Sequence, residues 1–193
     1  MRRLMTMLAI AGGLALPGSA TVFTWSADLD SSQEIPPNPS TATGSGLVRF
    51  DDITNILDLH LDWQGLTGDG IQAHIHCCVA PPPGNVGIAL DLWLASDPRP
   101  ATGSYDATYD LNLVNPFRAA FTAANGGTTL SAFSALRAAM DADQGRSYYN
   151  IHTALSPGGE IRGNLAPIPE PASVFTLLSG AAALLLLRRF RHS

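Results

Sequence analysis

The chain has 193 residues, with eleven arginines and no lysine against sixteen acidic residues, for a formal net charge of −5. Five of the arginines lie in the terminal tails (Arg2, Arg3, Arg188, Arg189, Arg191), so residues 21–166 carry six arginines against fifteen acids, a net charge near −9. That sign repels phosphate backbones and excludes nucleic acid as a natural partner, while divalent cations suit it better; the length fits one domain with a genuine core.

The first twenty residues run from Met1-Arg2-Arg3 through an apolar stretch, Leu4 to Leu16, to Pro17-Gly18-Ser19-Ala20. This is the three-part layout of a secretory signal, so residues 1–20 are expected to form a signal helix cleaved near Ala20. About thirteen apolar residues rising about 1.5 Å each reach only about 20 Å into a hydrocarbon core about 30 Å thick, too short to span it.

Phe23, Trp25, Ala27 and Leu29 alternate with Thr24, Ser26, Asp28 and Asp30, the pattern of a half-buried strand. Gln33 to Pro39 holds three prolines and is expected to be an extended loop or edge. Gly46 to Phe50 and Leu57 to Trp63, joined by a polar turn at Asp51 to Asn55, read as a hairpin with His60 on its solvated face. Beyond the Gly65 to Gly70 turn, Ile71, Ala73 and Ile75 alternate with Gln72, His74 and His76, which places both histidines on one face of a strand. Pro81-Pro82-Pro83-Gly84 forces a loop, Val86 to Leu94 reads as another strand, and Thr108 to Val114 as a weaker one.

From Pro116 the period changes. Phe117, Ala120, Phe121 and Ala124 suggest a short helix ending at Asn125-Gly126-Gly127, and Leu130, Phe133, Leu136, Arg137 and Met140 suggest a second, capped by Thr128 or Thr129. A closing hairpin, Tyr148 to Leu155 and Glu160 to Leu165, turns through Ser156-Pro157-Gly158-Gly159. Its apolar face is expected to carry Tyr149, Ile151 and Leu155, and its other face Tyr148, Asn150 and His152. The fold class expected is mainly β: an antiparallel, Greek-key-like β-sandwich or barrel over 21–166, with a short helical insertion at about 116–143 lying across one edge.

The C-terminal end reads Pro167-Ile168-Pro169-Glu170-Pro171, then an uncharged apolar run from Ala172 to Leu187, then Arg188-Arg189-Phe190-Arg191. Sixteen residues give about 24 Å, a marginal transmembrane helix (172–187) that snorkelling arginines could complete, with the basic tail on the cytoplasmic side. The order Pro169-Glu170-Pro171, apolar helix, Arg188-Arg189 resembles the PEP-CTERM sorting signal, here over residues 167–193. The resemblance implies an exosortase-type membrane protease as partner, in a bacterium that makes extracellular polysaccharide, and release of the domain from its membrane anchor into the extracellular matrix.

Four further patterns follow one another along the chain: Gln33-Glu34-Ile35-Pro36-Pro37, Ala73-His74-Ile75-His76, Asn150-Ile151-His152-Thr153 and Gly159-Glu160-Ile161-Arg162-Gly163. Together they resemble the CHRD domain, named for chordin, over roughly residues 22–165; Cys77-Cys78 stand where that family usually has a glycine. The resemblance implies a β-sandwich in extracellular, protein-binding settings and does not imply a particular catalytic activity. The expected function is an exported, envelope-anchored or matrix-released binding or structural module of the cell surface, with polysaccharide or surface proteins as partners. The residues support a different alternative, a metal-binding protein or metalloenzyme. Imidazoles at i and i+2 on a strand point the same way, and His152 could add a third, so His74, His76 and His152 are candidate ligands for copper or zinc. Glu34, Glu160 or Cys78 would be the fourth. The competing reading keeps the histidines in a structural network.

Gln33, Glu34, Glu160 and Arg162 are also read as structural; Glu160 and Arg162 share a strand face, where an exposed pair would contribute only about 0.2–1 kcal/mol. Cys77 and Cys78, in a chain bound for an oxidising compartment, admit a vicinal disulfide, two buried thiols, an interchain bond or a thiolate ligand. No nucleophile with a paired base, Gly-rich phosphate loop or Cys-X-X-Cys occurs, so enzyme activity has no positive support.

Overall fold

The computed structural model describes residues 21–80, 84–142 and 146–169. Its nine strands are β1 (Val22–Asp30), β2 (Thr43–Asp51), β3 (Ile56–Gln64), β4 (Gly70–Cys77), β5 (Ile88–Trp93), β6 (Gly103–Asp110), β7 (Ser147–Thr153), β8 (Ile161–Asn164) and β9 (Ala166–Pro167). They form one antiparallel sheet in the order β5-β4-β7-β8-β1-β2-β3-β6, with β9 pairing β1 beyond β8. Two helices, α1 (Ala119–Ala124) and α2 (Thr129–Asp141), lie between β6 and β7.

The period-two alternation read from the sequence makes one face of this sheet apolar. Trp25, Ala27 and Leu29 of β1, Val48 and Phe50 of β2, Leu57, Leu59, Leu61 and Trp63 of β3, Ile75 of β4, and Tyr149 and Ile151 of β7 are all buried in one core. Each fully buried Leu or Ile contributes roughly 1.5–3 kcal/mol. Such a face can be dried only if the sheet curls on itself, and it does. Gly70 at the start of β4 bridges Arg99, Leu66 N–H donates to the Ala101 carbonyl at 3.0 Å, and the Trp63 and Trp93 rings meet at 4.8 Å. The sandwich-or-barrel expectation thus resolves as a nearly closed, barrel-like sheet. Gly46 is required by that curling: a Cβ there would stand 2.5 Å from the ring of Tyr149, which crosses the interior to donate its hydroxyl to the Leu47 carbonyl.

The helices do more than lie across an edge. Phe117 bridges Leu90 on the free edge of β5, but α2 turns Phe133, Leu136 and Met140 into the core, with Phe133 against Phe50 at 4.1 Å. Thr128 caps α2, its hydroxyl accepting from Ser131 N–H, while Trp25 Nε1 donates to Asp141 at the far end. Two further expectations are corrected. The weak strand read at 108–114 runs instead from Gly103 to Asp110, because Tyr105, Ala107 and Tyr109 continue the alternation while residues beyond Asp110 form a turn. Leu155 is exposed in the turn after β7 and contributes nothing to the apolar face. Among the described residues no helix is long and apolar enough to cross a membrane. The signal helix expected at 1–20 and the apolar run 172–187 with its basic tail lie outside the described residues.

Candidate metal centre

The same alternation that sends Ala73, Ile75, Tyr149 and Ile151 inward turns His74, His76, Tyr148, Asn150 and His152 onto the outer face of β4 and β7. Register sets His74 opposite Asn150, His76 opposite Tyr148 and His152 opposite Gln72, so the three imidazoles become neighbours. An outer face is ordinarily wet, but two segments cover this one. They are the 3-10 turn Ser31–Gln33 with the proline-rich stretch after it, and the segment leading into β5; Asn85 Nδ2 ties them together by donating to the Ile35 carbonyl at 2.8 Å. Beneath them His74 is 1% exposed, and Glu34, Asn150 and Arg162 are buried as well.

His74 Nδ1 lies 3.1 Å from His152 Nε2, and one ring nitrogen from each of the three histidines falls within 4.8 Å of the other two. Two of the remaining nitrogens have acceptors. His76 Nδ1 faces the Val86 carbonyl at 2.7 Å and His152 Nδ1 the Pro157 carbonyl at 3.0 Å, which fixes the proton on Nδ1 and leaves each Nε2 as a lone pair. His76 Nε2 is buried without a hydrogen-bond partner. His74 Nε2 makes no hydrogen bond, Asp91 Oδ1 lying 3.4 Å away, and a proton placed on that nitrogen would turn Nδ1 into a third lone pair. Bonds of about 2.0–2.1 Å to one metal put donors no more than about 4 Å apart, so the His74–His152 pair already fits and the remaining donor must close by at most about an ångström.

Electrostatics keep the rings in the ligand form. Burial, reinforced by the neighbouring His152 and His76, pulls His74 down to about 3. Burial also pulls His76 down to about 4, against the opposing bond to Val86, and it lowers His152. All three are neutral near pH 7, the state a metal requires.

The expected fourth ligands are elsewhere. Glu160, completely buried, accepts from the Ser40, Thr67 and Thr153 hydroxyls and from Thr67 N–H. Those donors outweigh desolvation and hold its carboxyl below the usual range. Glu34 accepts from Asn150 Nδ2, and burial, only partly opposed by Arg162, raises it to about 7. Cys78 is paired with Cys77 as a disulfide where β4 ends, and so has no thiolate to offer. The exposed Glu160–Arg162 pair read from the sequence does not form: both residues are buried and face different partners. Arg162 stacks on the Tyr148 ring, 3.3 Å from its centroid, and donates to Asn85 Oδ1 and the Gly84 carbonyl at 3.1 Å each. Gln33 joins the covering turn to β8, its Oε1 accepting from both Asn164 N–H and Asn164 Nδ2. Of the sorting motif, Pro169 is the last described residue, and Glu170, Pro171, Arg188 and Arg189 lie beyond it.

Sequence reasoning missed Asp91 and Arg118. Asp91 carries the one charge in the otherwise apolar run Ile88 to Trp93, a visible signal, and Arg118 clamps it from the start of α1 through Nε at 2.8 Å and Nη2 at 2.7 Å. It also left Tyr148 without a role, although that ring lies parallel to His76 at 4.7 Å.

Comparison with curated proteins and with solved structures yields no match. The family model described as the CHRD domain matches residues 25–165, a span that includes every strand from β2 to β8 and all three histidines. The chain therefore belongs to the CHRD domain family.

Proposed function

We propose that this chain is an exported, non-catalytic binding module of the bacterial cell surface or its polysaccharide matrix, whose binding element is a metal centre held by His74, His76 and His152. One observation carries the reading: three imidazoles converge on one point while their outward nitrogens face Val86, Pro157 and Asp91. Metal-ligating histidines are ordinarily held by outer acceptors of this kind, and His76 Nε2, buried without a hydrogen-bond partner, is a donor such an ion would use. Copper and zinc both suit imidazole donors.

Export rests on the basic and apolar start of the chain, and anchorage followed by exosortase-type processing rests on its Pro-Glu-Pro, apolar and arginine-rich end. The acidic domain and its CHRD membership support extracellular polysaccharide or surface proteins as partners. Elemental analysis of the protein isolated from the producing cell's envelope without added metal tests the central claim. About one copper or zinc ion per chain is expected; a chain that binds neither ion under saturating conditions overturns it.

A further inference from the structure

We infer that the centre is built for monovalent copper in preference to zinc or divalent copper. The inference deepens the metal-binding reading and rests on it.

The donor set is the first reason. Three neutral imidazoles converge, and among the described residues no anionic ligand joins them. Both Asp91 oxygens are held by Arg118, Glu34 is held by Asn150, Glu160 is held by four donors, and the two sulfurs are bonded to each other. Zinc on three imidazoles must add a water as its fourth ligand, and divalent copper prefers a tetragonal set of nitrogen and oxygen. A filled-shell monovalent copper ion accepts a low coordination number and neutral nitrogen donors.

The second reason is charge. Desolvating an ion costs free energy that grows as the square of its charge, so a buried centre without an anionic ligand penalises a divalent ion far more than a monovalent one. Two guanidinium groups add to that penalty. Arg162 lies over the face of Tyr148, whose ring stacks on His76, and it is completely buried. Arg118 stands behind Asp91 and offsets the one carboxylate facing His74. Glu34, the other acid beside Arg162, is held partly protonated near pH 7 and compensates weakly.

The test is competition binding on the full chain in detergent micelles at pH 7. Copper(I) is loaded anaerobically against bicinchoninate, zinc against a chromogenic chelator, and copper(II) against glycine. The Kd for copper(I) is expected to lie at least about a hundredfold below that for zinc, with copper(II) also weaker than copper(I). Zinc or copper(II) bound as tightly as copper(I) overturns this inference and leaves the metal centre standing; failure of all three ions to bind removes the centre and the inference together. Arg118→Gln, a change at a half-exposed side chain, is expected to narrow the copper(I)-to-zinc preference by roughly tenfold. An unchanged preference in that variant would overturn the electrostatic argument.

Discussion

Two halves of the same outer sheet surface treat histidine in opposite ways. On β3, His60 projects from an uncovered face between Asp106 and Asp62, one carboxylate at 2.7 Å from each ring nitrogen. Those bonds, Asp106 first, raise its pKa and favour the imidazolium. On β4 and β7 the strand pattern is the same, yet His74, His76 and His152 face one another under two covering segments, and burial lowers all three. The strand decides only the direction in which a histidine points. What lies over that direction decides whether it is half of an ion pair or a neutral, buried ring.

The largest effect that would break the comparison comes from removing a ligand. His152→Gln is expected to weaken copper or zinc affinity by at least about 100-fold, measured by chelator competition, because losing a group that only orients a ligand already costs about 10- to 100-fold. An unaltered affinity would return the cluster to the status of a structural network. A smaller effect sharpens the claim that Asp91 orients His74. Asp91→Asn should cost about tenfold in affinity while circular dichroism stays native, since the carboxylate touches the ring and no metal. The smallest effect concerns the bare half. His60→Gln should leave metal affinity unchanged and lower stability by no more than about 1 kcal/mol, as for other exposed pairs. The sign with pH follows from the raised pKa of His60: the folded chain holds this proton more tightly than the unfolded one, so the contribution is complete below about 6.5 and disappears as pH rises through the folded value. Urea melts of both proteins from pH 6 to 9 should therefore converge at the alkaline end; a gap that widens there would contradict the ion-pair reading of His60.

Much of the fold was legible because alternation is a local property. β1, β3 and β4, the hairpin turns, and α2 with its Thr128 cap all sit where apolar spacing and turn residues put them. β6 was harder to see, since its inward positions are Tyr105, Ala107 and Tyr109, none of them the branched aliphatic residues that announce a strand. At the site, His74 and His76 could be placed on one face from spacing alone. The contribution of His152 depended on how β7 pairs with β4, and a one-residue slip would have turned it inward.

By itself the sequence determined which side chains lie on each face of β1, β3 and β4, and that the domain is acidic and β-rich. Tertiary structure alone decided that Asp91 rather than Glu34, Glu160 or Cys78 stands beside the imidazoles, and that Glu160 and Arg162 part company instead of pairing. It alone decided that His74, in an outward-facing row of histidines, is dry. The physical reason is that alternation acts between residues two apart, whereas the cover over the site is held by contacts between residues 50 and 116 apart in the chain, Asn85 reaching Ile35 and Glu34 reaching Asn150, whose positions no local period encodes.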